Sequence, residues 1–549
     1  MTEKLSVRAL GRMIRSTALV AAGLVAVMGG VAEAETKLRW GVGMEVSSLD
    51  PLYQTNNWEL AAGYNMYDSL VWPHVTEGVT TWVAESWTVS EDGKTWTFTI
   101  REGLTFHDGA ALSAEDVAFS MQRMLVLNGP AATAFRGLNA ENVTAKDART
   151  VVFTLEQPNS SFLKALVTFK IVNKALILAN LADGPHGDMK DYGAAYLRTN
   201  DAGSGPFKLR SYSQGELVVL ERFADYKLTP WDAKAPEVVE FQITPEMASI
   251  GTKLRAGELD IADWSLPISV QRDVAKDARF AMRQDLMNTA WYIIMNNSAK
   301  PLDDVNVRRA IASAHDEGML IRNITGAGDP MGGPVPDAML PNCADIPGYA
   351  FDLEKAREYL KQSAYSADEL TARPLKIAAV AGSERFNNIA LLTSSNLKKI
   401  GLNVEVQGVR WADIVSAQTK PETAFDLVIF YDPAKFNDPM LFLSYYREQG
   451  WGDPYPPGGM YYNNPEVTAL LEKAQTSTDV AIQQSAYCEA ANKITEDSPS
   501  IFSHSEVRNT TFWNYVTAYP EGGDAMFYDM RFENWRLDTD SADFKKNQP

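Results

Sequence analysis

The first 34 residues fix the compartment, and with it the redox conditions, in which the rest of the chain must fold. Lys4, Arg8, Arg12 and Arg15 precede an uncharged run from Ser16 to Ala32, which closes on the small-residue triplet Ala32-Glu33-Ala34. A basic start, a short apolar centre and small residues at the cut are the order of a removable secretory leader, with cleavage expected after Ala34. The apolar centre, Ala18 to Met28, is too short to cross ~30 Å of hydrocarbon, and Gly29-Gly30 interrupts it. No later stretch approaches ~20 apolar residues. Neither cysteine stands near the cut to receive a lipid, so the expected location is a periplasm, without a lipid anchor.

Cleavage removes four cations and two anions, which takes the formal charge from −19 to −21. Phosphate backbones and anionic headgroups repel such a chain, so nucleic acid is excluded as a partner. About 515 mature residues exceed what one hydrophobic core serves, and at least two lobes are expected. Cys343 and Cys488 are the only thiols. An oxidising compartment permits a bridge between them, but spacing cannot supply its geometry, so a disulfide and two buried thiols both fit.

Strand and helix signals alternate along the chain. Thr95 to Ile100 sets Trp96, Phe98 and Ile100 against three threonines, the period of a half-buried strand, between Asp92-Gly93 and Glu102-Gly103 turns. Ser113-Ala114-Glu115-Asp116 then opens a helix in capping-box style, with Val117, Met121, Met124 and Leu125 on one face. Helices are predicted over Asp352–Leu360 and Asn387–Ile400, and strands over Leu375–Val380, Leu402–Val406 and Phe425–Tyr431. That alternation predicts a mostly parallel sheet covered on both faces, in an α/β or mixed α+β class.

Catalytic patterns are missing. Gly203-Ser204-Gly205-Pro206 has the wrong spacing for a nucleophile elbow and reads as a turn before a strand. His74, His107, His186, His315 and His504 lack the i, i+4 partner of a helical zinc site, so neither a metal nor a cofactor is expected. Gly326 to Met331 begins like a dinucleotide fingerprint but lacks the third glycine. Seventy acidic residues make a chance carboxylate pair uninformative.

The segment Trp87 to Leu125 resembles the signature of bacterial extracellular solute-binding proteins of family 5, the peptide/nickel type that serves ABC transporters. Its Trp before Asp-Gly-Lys, aromatic strand, Arg-x-Gly, Phe-His-Asp-Gly and capped helix stand in that order. Leu49-Asp50-Pro51, Gly203 to Phe207, Leu254 to Asp260 and Val305 to Ile311 continue the likeness. His107-Asp108-Gly109 reads as a scaffold turn. The resemblance implies no catalytic residue and a two-lobed periplasmic-binding fold of the type II kind, a monomer with an extra subdomain in its first lobe. Lobe I would span 35–297 and return over 500–549, and lobe II would span 298–499. Crossings would fall near Ile293–Asn297 and Pro499–Ser503, with a peptide or another small organic solute enclosed between lobes and delivered to a membrane permease. A secreted hydrolase, or a ligand-presenting chaperone or sensor, remains an alternative on the same scaffold.

Ligand-contacting positions also follow from the resemblance. Asn56, Asn57 and Trp58 lie where the first lobe meets ligand, and Trp411 matches a cleft aromatic beside Tyr431 and Phe436. Peptide-binding members carry Trp-x-x-Asp, whose Asp pairs with the peptide amine; this chain has Asp432-Pro433-Ala434-Lys435. A cation there repels a free amine and favours an anionic or sugar-like solute, unless Lys435 simply points to water.

Overall fold

The computed structural model describes residues 35–548 apart from 55, 75–77, 341–342, 344–345, 347, 453–455 and 519–529. The leader, residues 1–34, lies outside the described residues. Three sheet systems carry the fold, the first two with one apolar core each and the third between two.

The first is a four-stranded sheet in the order Lys37–Val42, Val238–Ile243, Leu217–Arg222 and Phe207–Ser213, the first pair parallel and the rest antiparallel. Its core gathers Trp40, Trp58, Phe241, Phe532 and Trp535, from both ends of the chain. The second is an antiparallel sheet of Ala84–Val89, Thr95–Ile100, Thr150–Thr154 and Val143–Ala145. Phe98 and Phe153 share its core with Phe135 and Phe162. The helix Ala114–Leu127 packs on it, its start held because the Asp116 carboxylate accepts from the Ser113 backbone N–H (3.0 Å) and hydroxyl (2.7 Å).

The third sheet has five strands, ordered Val404–Val409, Leu375–Val380, Leu427–Pro433, Thr289–Met295 and Ser500–Phe502. Thr289–Met295 is buried on both faces: Ala290, Tyr292 and Ile294 enter one core, and Trp291, Ile293 and Met295 the other. Leu375–Val380 pairs in parallel with both its neighbours. The pairings of Thr289–Met295 with Leu427–Pro433 and Ser500–Phe502 are antiparallel. The sheet is therefore mixed, and the mostly parallel expectation holds for three of its five strands.

The sheets are tied by a long antiparallel pair, Phe280–Leu286 against His504–Trp513, in register from Phe280↔Trp513 to Leu286↔Val507. The chain leaves this pair for the five-stranded sheet at Met287–Asn288 and returns through Ser503. Cys343 and Cys488 form a disulfide, with Cα atoms 5.3 Å apart across 145 residues of sequence. His107 is a buried scaffold residue, its Nδ1 2.8 Å from an Asp201 carboxylate oxygen and its Nε2 2.9 Å from the Gly205 carbonyl.

Candidate solute cleft

Side chains alternate along His504–Trp513, so His504, Glu506, Arg508 and Thr510 share one face, a polar row that carries one anion and one cation. Arg385, in the first turn of the helix Glu384–Lys399, ion-pairs with Glu506. The two side chains are 27% and 12% exposed, so a solute can reach the pair. Tyr431 hydrogen-bonds Glu506, and burial with that contact holds its hydroxyl well above the ordinary tyrosine range.

Asp263 approaches from the first sheet's side of the molecule. It is fully buried and accepts from the Gly43 and Ser265 backbone N–H groups, each at 2.6 Å. Burial pushes its carboxyl up to about 6 against those bonds and the nearby Arg385 charge. Arg508 pairs with Asp285 at 3.4 Å and lies 5.8 Å over the Trp264 ring.

Aromatic plates flank these charges. Trp264 stacks on Trp58 at 3.8 Å, and Trp40 meets Trp58 edge-on at 4.8 Å. Opposite them in the sheet order, Trp291 packs on Tyr431 (4.8 Å), Phe386 (5.0 Å) and, nearly coplanar, His504 (6.0 Å, 6°). The buried Trp291 Nε1 and His504 Nε2 find no protein partner. Ser503 Oγ lies 2.9 Å from His315 Nε2 and 3.0 Å from His504 Nδ1, a chain of three polar groups at the return crossing. Burial lowers both imidazoles, His315 to about 4 and His504 to about 3, so both are neutral near pH 7. Charged, polar and aromatic groups from several separated stretches thus meet beside the paired strands, as needed to hold a small polar solute with an apolar part. Among the described residues no group of three His, Cys, Asp or Glu is placed to hold a metal.

The positions named from sequence fall into three places. Asn56 caps the helix Asn57–Met66, accepting from Trp58 and Glu59 N–H at 3.0 Å, and its amide donates to the Glu45 carbonyl. Asn57 is the next residue, half-buried, and Trp58 is one plate of the stack. Trp411 is 40% exposed and lies parallel to Phe430 at 6.4 Å. Tyr431 joins the polar row, whereas Asp432 is fully buried and accepts from the Tyr445 hydroxyl. Lys435 Nζ stands 3.9 Å from Asp432 with its side chain 40% exposed, so its charge is part-matched and part-solvated. Phe436 is buried in the core of the second sheet. Composition and spacing do not mark Arg385, Asp263 or Trp264, and for Glu506 the available signal is the alternation His504-x-Glu506-x-Arg508.

A second contact joins the second sheet system to the region around the disulfide. Ser160 N–H donates to the Gln475 carbonyl at 2.9 Å, and Lys164 Nζ pairs with Asp438 at 2.9 Å. The Asp438 side chain is 2% exposed and also accepts from the Met440 N–H.

A mixed α/β chain whose sheets are bridged by paired strands, with charges between aromatic plates at the bridge, has the architecture of a solute-binding protein. The chain belongs to the bacterial extracellular solute-binding proteins, family 5: the model described as "family 5 Middle" matches residues 78–453. It is 30% identical over 474 residues to the probable D,D-dipeptide-binding periplasmic protein DdpA of Escherichia coli (strain K12), covering 84% of this chain and 87% of that one. It is 26% identical over 497 residues to the glutathione-binding protein GsiB of Pectobacterium atrosepticum, covering 89% and 92%. In fold it matches the periplasmic binding protein DppA of Helicobacter pylori in complex with peptide STSA, with TM-score 0.78, 23% identity and coverage of 92% and 98%. Family and relatives are binding proteins by name, not enzymes. No helix among the described residues is long and apolar enough to cross a membrane.

Proposed function

We propose that this protein is the exported, periplasmic binding component of an ABC import system, a monomer that encloses one small organic solute and hands it to the membrane permease. The solute sits between two lobes that close by hinging at the paired strands. Because Thr289–Met295 and Ser500–Phe502 pair within the five-stranded sheet, the lobe boundaries expected at 297/298 and 499/500 move to Met287–Asn288 and Ser503. The observation that carries this reading is the meeting of Arg385 with Glu506 and the Asp263 field beside the passages at Met287–Asn288 and Ser503. Two relatives are named for binding a D,D-dipeptide and glutathione, which favours a peptide-like solute. The part-exposed Lys435 ammonium argues against a plain peptide amine at its corner and for an anionic or neutral polar group. Calorimetry with alanine dipeptides, their N-acetyl forms and anionic sugars tests this. N-acetylation should leave the contacts at Lys435 intact, and a strict requirement for a free amine that persists in Lys435→Ala would refute the role given to Lys435.

A further inference from the structure

We propose that the Arg385–Glu506 ion pair stands in for the solute's own charges, and that the solute presents an α-amino-acid head whose ammonium and carboxylate exchange with the pair. This rests on the carrier reading and names the chemical class it takes. Arg385 and Glu506 touch each other and both are partly exposed, so they are the charged groups of the cleft that a solute meets.

Charge matching then selects the solute. A lone carboxylate that captured Arg385 would leave Glu506 deprived of its cation, with the Tyr431 hydroxyl bonded to it and Asp263 close by in the same field. A lone amine that captured Glu506 would leave Arg385 facing its own loss. Only a solute bringing both charges leaves each group paired. Because the protein pair is in contact, the two solute charges must also be close. One tetrahedral carbon sets nitrogen and carboxyl carbon about 2.5 Å apart, whereas the ends of an extended dipeptide lie roughly 6 Å or more apart.

Two isomers separate the possibilities. γ-Glutamylglycine keeps an intact α-amino-acid head; α-glutamylglycine has the same atoms, one ammonium and two carboxylates, but no such head. Calorimetry should give tighter binding of the γ isomer by about 30-fold or more, the cost of unmatching a charge pair that the bound solute covers. Glu506→Gln and Arg385→Gln, with thermal midpoints measured first to show folded protein, should bring that ratio towards one. The swapped double variant Arg385→Glu/Glu506→Arg should recover part of it. Equal affinities, a preference for the α isomer, an unchanged ratio in Glu506→Gln, or no binding of either isomer at about 1 mM would each overturn the proposal. A co-purifying solute without such a head would overturn it too, while leaving the carrier reading standing.

Discussion

Replacing Lys164 with Met tests whether the contact far from the paired strands helps hold the protein shut. Lys164 Nζ lies 2.9 Å from Asp438, whose side chain is only 2% exposed, and methionine matches lysine in length but not in charge. At an effective dielectric of ~20 the attraction at this separation is about 6 kcal/mol gross. Lys164 is 36% exposed, so screening and the entropy of a long side chain remove most of that, leaving about 1–2 kcal/mol net. Asp438 keeps its Met440 N–H bond, and Ser160 keeps its bonds to the Gln475 and Ala474 carbonyls, so closure weakens without being lost. The predicted effect is a 5- to 30-fold faster solute release with an unchanged association rate, since the contact forms after encounter. Stopped-flow tryptophan fluorescence reads both rates, and small-angle scattering should show a larger mean radius for the variant at equal solute. Lys164→Arg, which keeps the charge, should behave as the parent. An unchanged release rate in a folded Lys164→Met protein would refute the clasp.

Stability should peak near pH 6. His315 and His504 are lowered to about 4 and about 3, so their contribution is full above their unfolded value of 6.5 and is lost as pH falls towards those values. Asp263 and Glu317 are raised to about 6 and about 8 by burial, so theirs is full below the ordinary carboxyl range and is lost as pH rises through those values. Thermal midpoints from pH 4 to 9 should therefore fall on both sides, Glu317→Gln should flatten the alkaline side, and a maximum above pH 8 would contradict the assignment. Reducing Cys343–Cys488 should destabilise the region around the helix Val480–Asp497 by up to about 5 kcal/mol, the loop-entropy value for 145 residues. Hydrogen exchange with and without dithiothreitol measures this, and equal protection in both states would oppose it.

Local rules carried much of the fold. Thr95–Ile100 and Leu375–Val380 form over the residues that alternation and apolarity mark, and Asp352 caps its helix through the Glu354 and Lys355 N–H groups. Strand direction was legible only in part. Thr289–Met295 is buried on both faces and shows no alternation, and nothing in its composition says that it runs antiparallel to Leu427–Pro433. In the site, Trp58 and Tyr431 were marked by type and family position. Asn56 and Phe436 were marked too, yet a cap and a core contact occupy them. The Asn56-x-x-Glu59 spacing was itself a capping signal, since Glu59 bonds back to the Asn56 N–H. Asp263, Arg385 and Glu506 are more than a hundred residues apart from one another, and only the assembled topology brings them together.

Native mass spectrometry of the exported protein, taken from cells without denaturation, tests the central claim most directly. A carrier of this family should show one small organic solute per chain, released intact on unfolding and lost from the folded Arg385→Gln/Glu506→Gln variant. Protein that arrives empty and stays empty when offered a cell's pool of small solutes would contradict the claim.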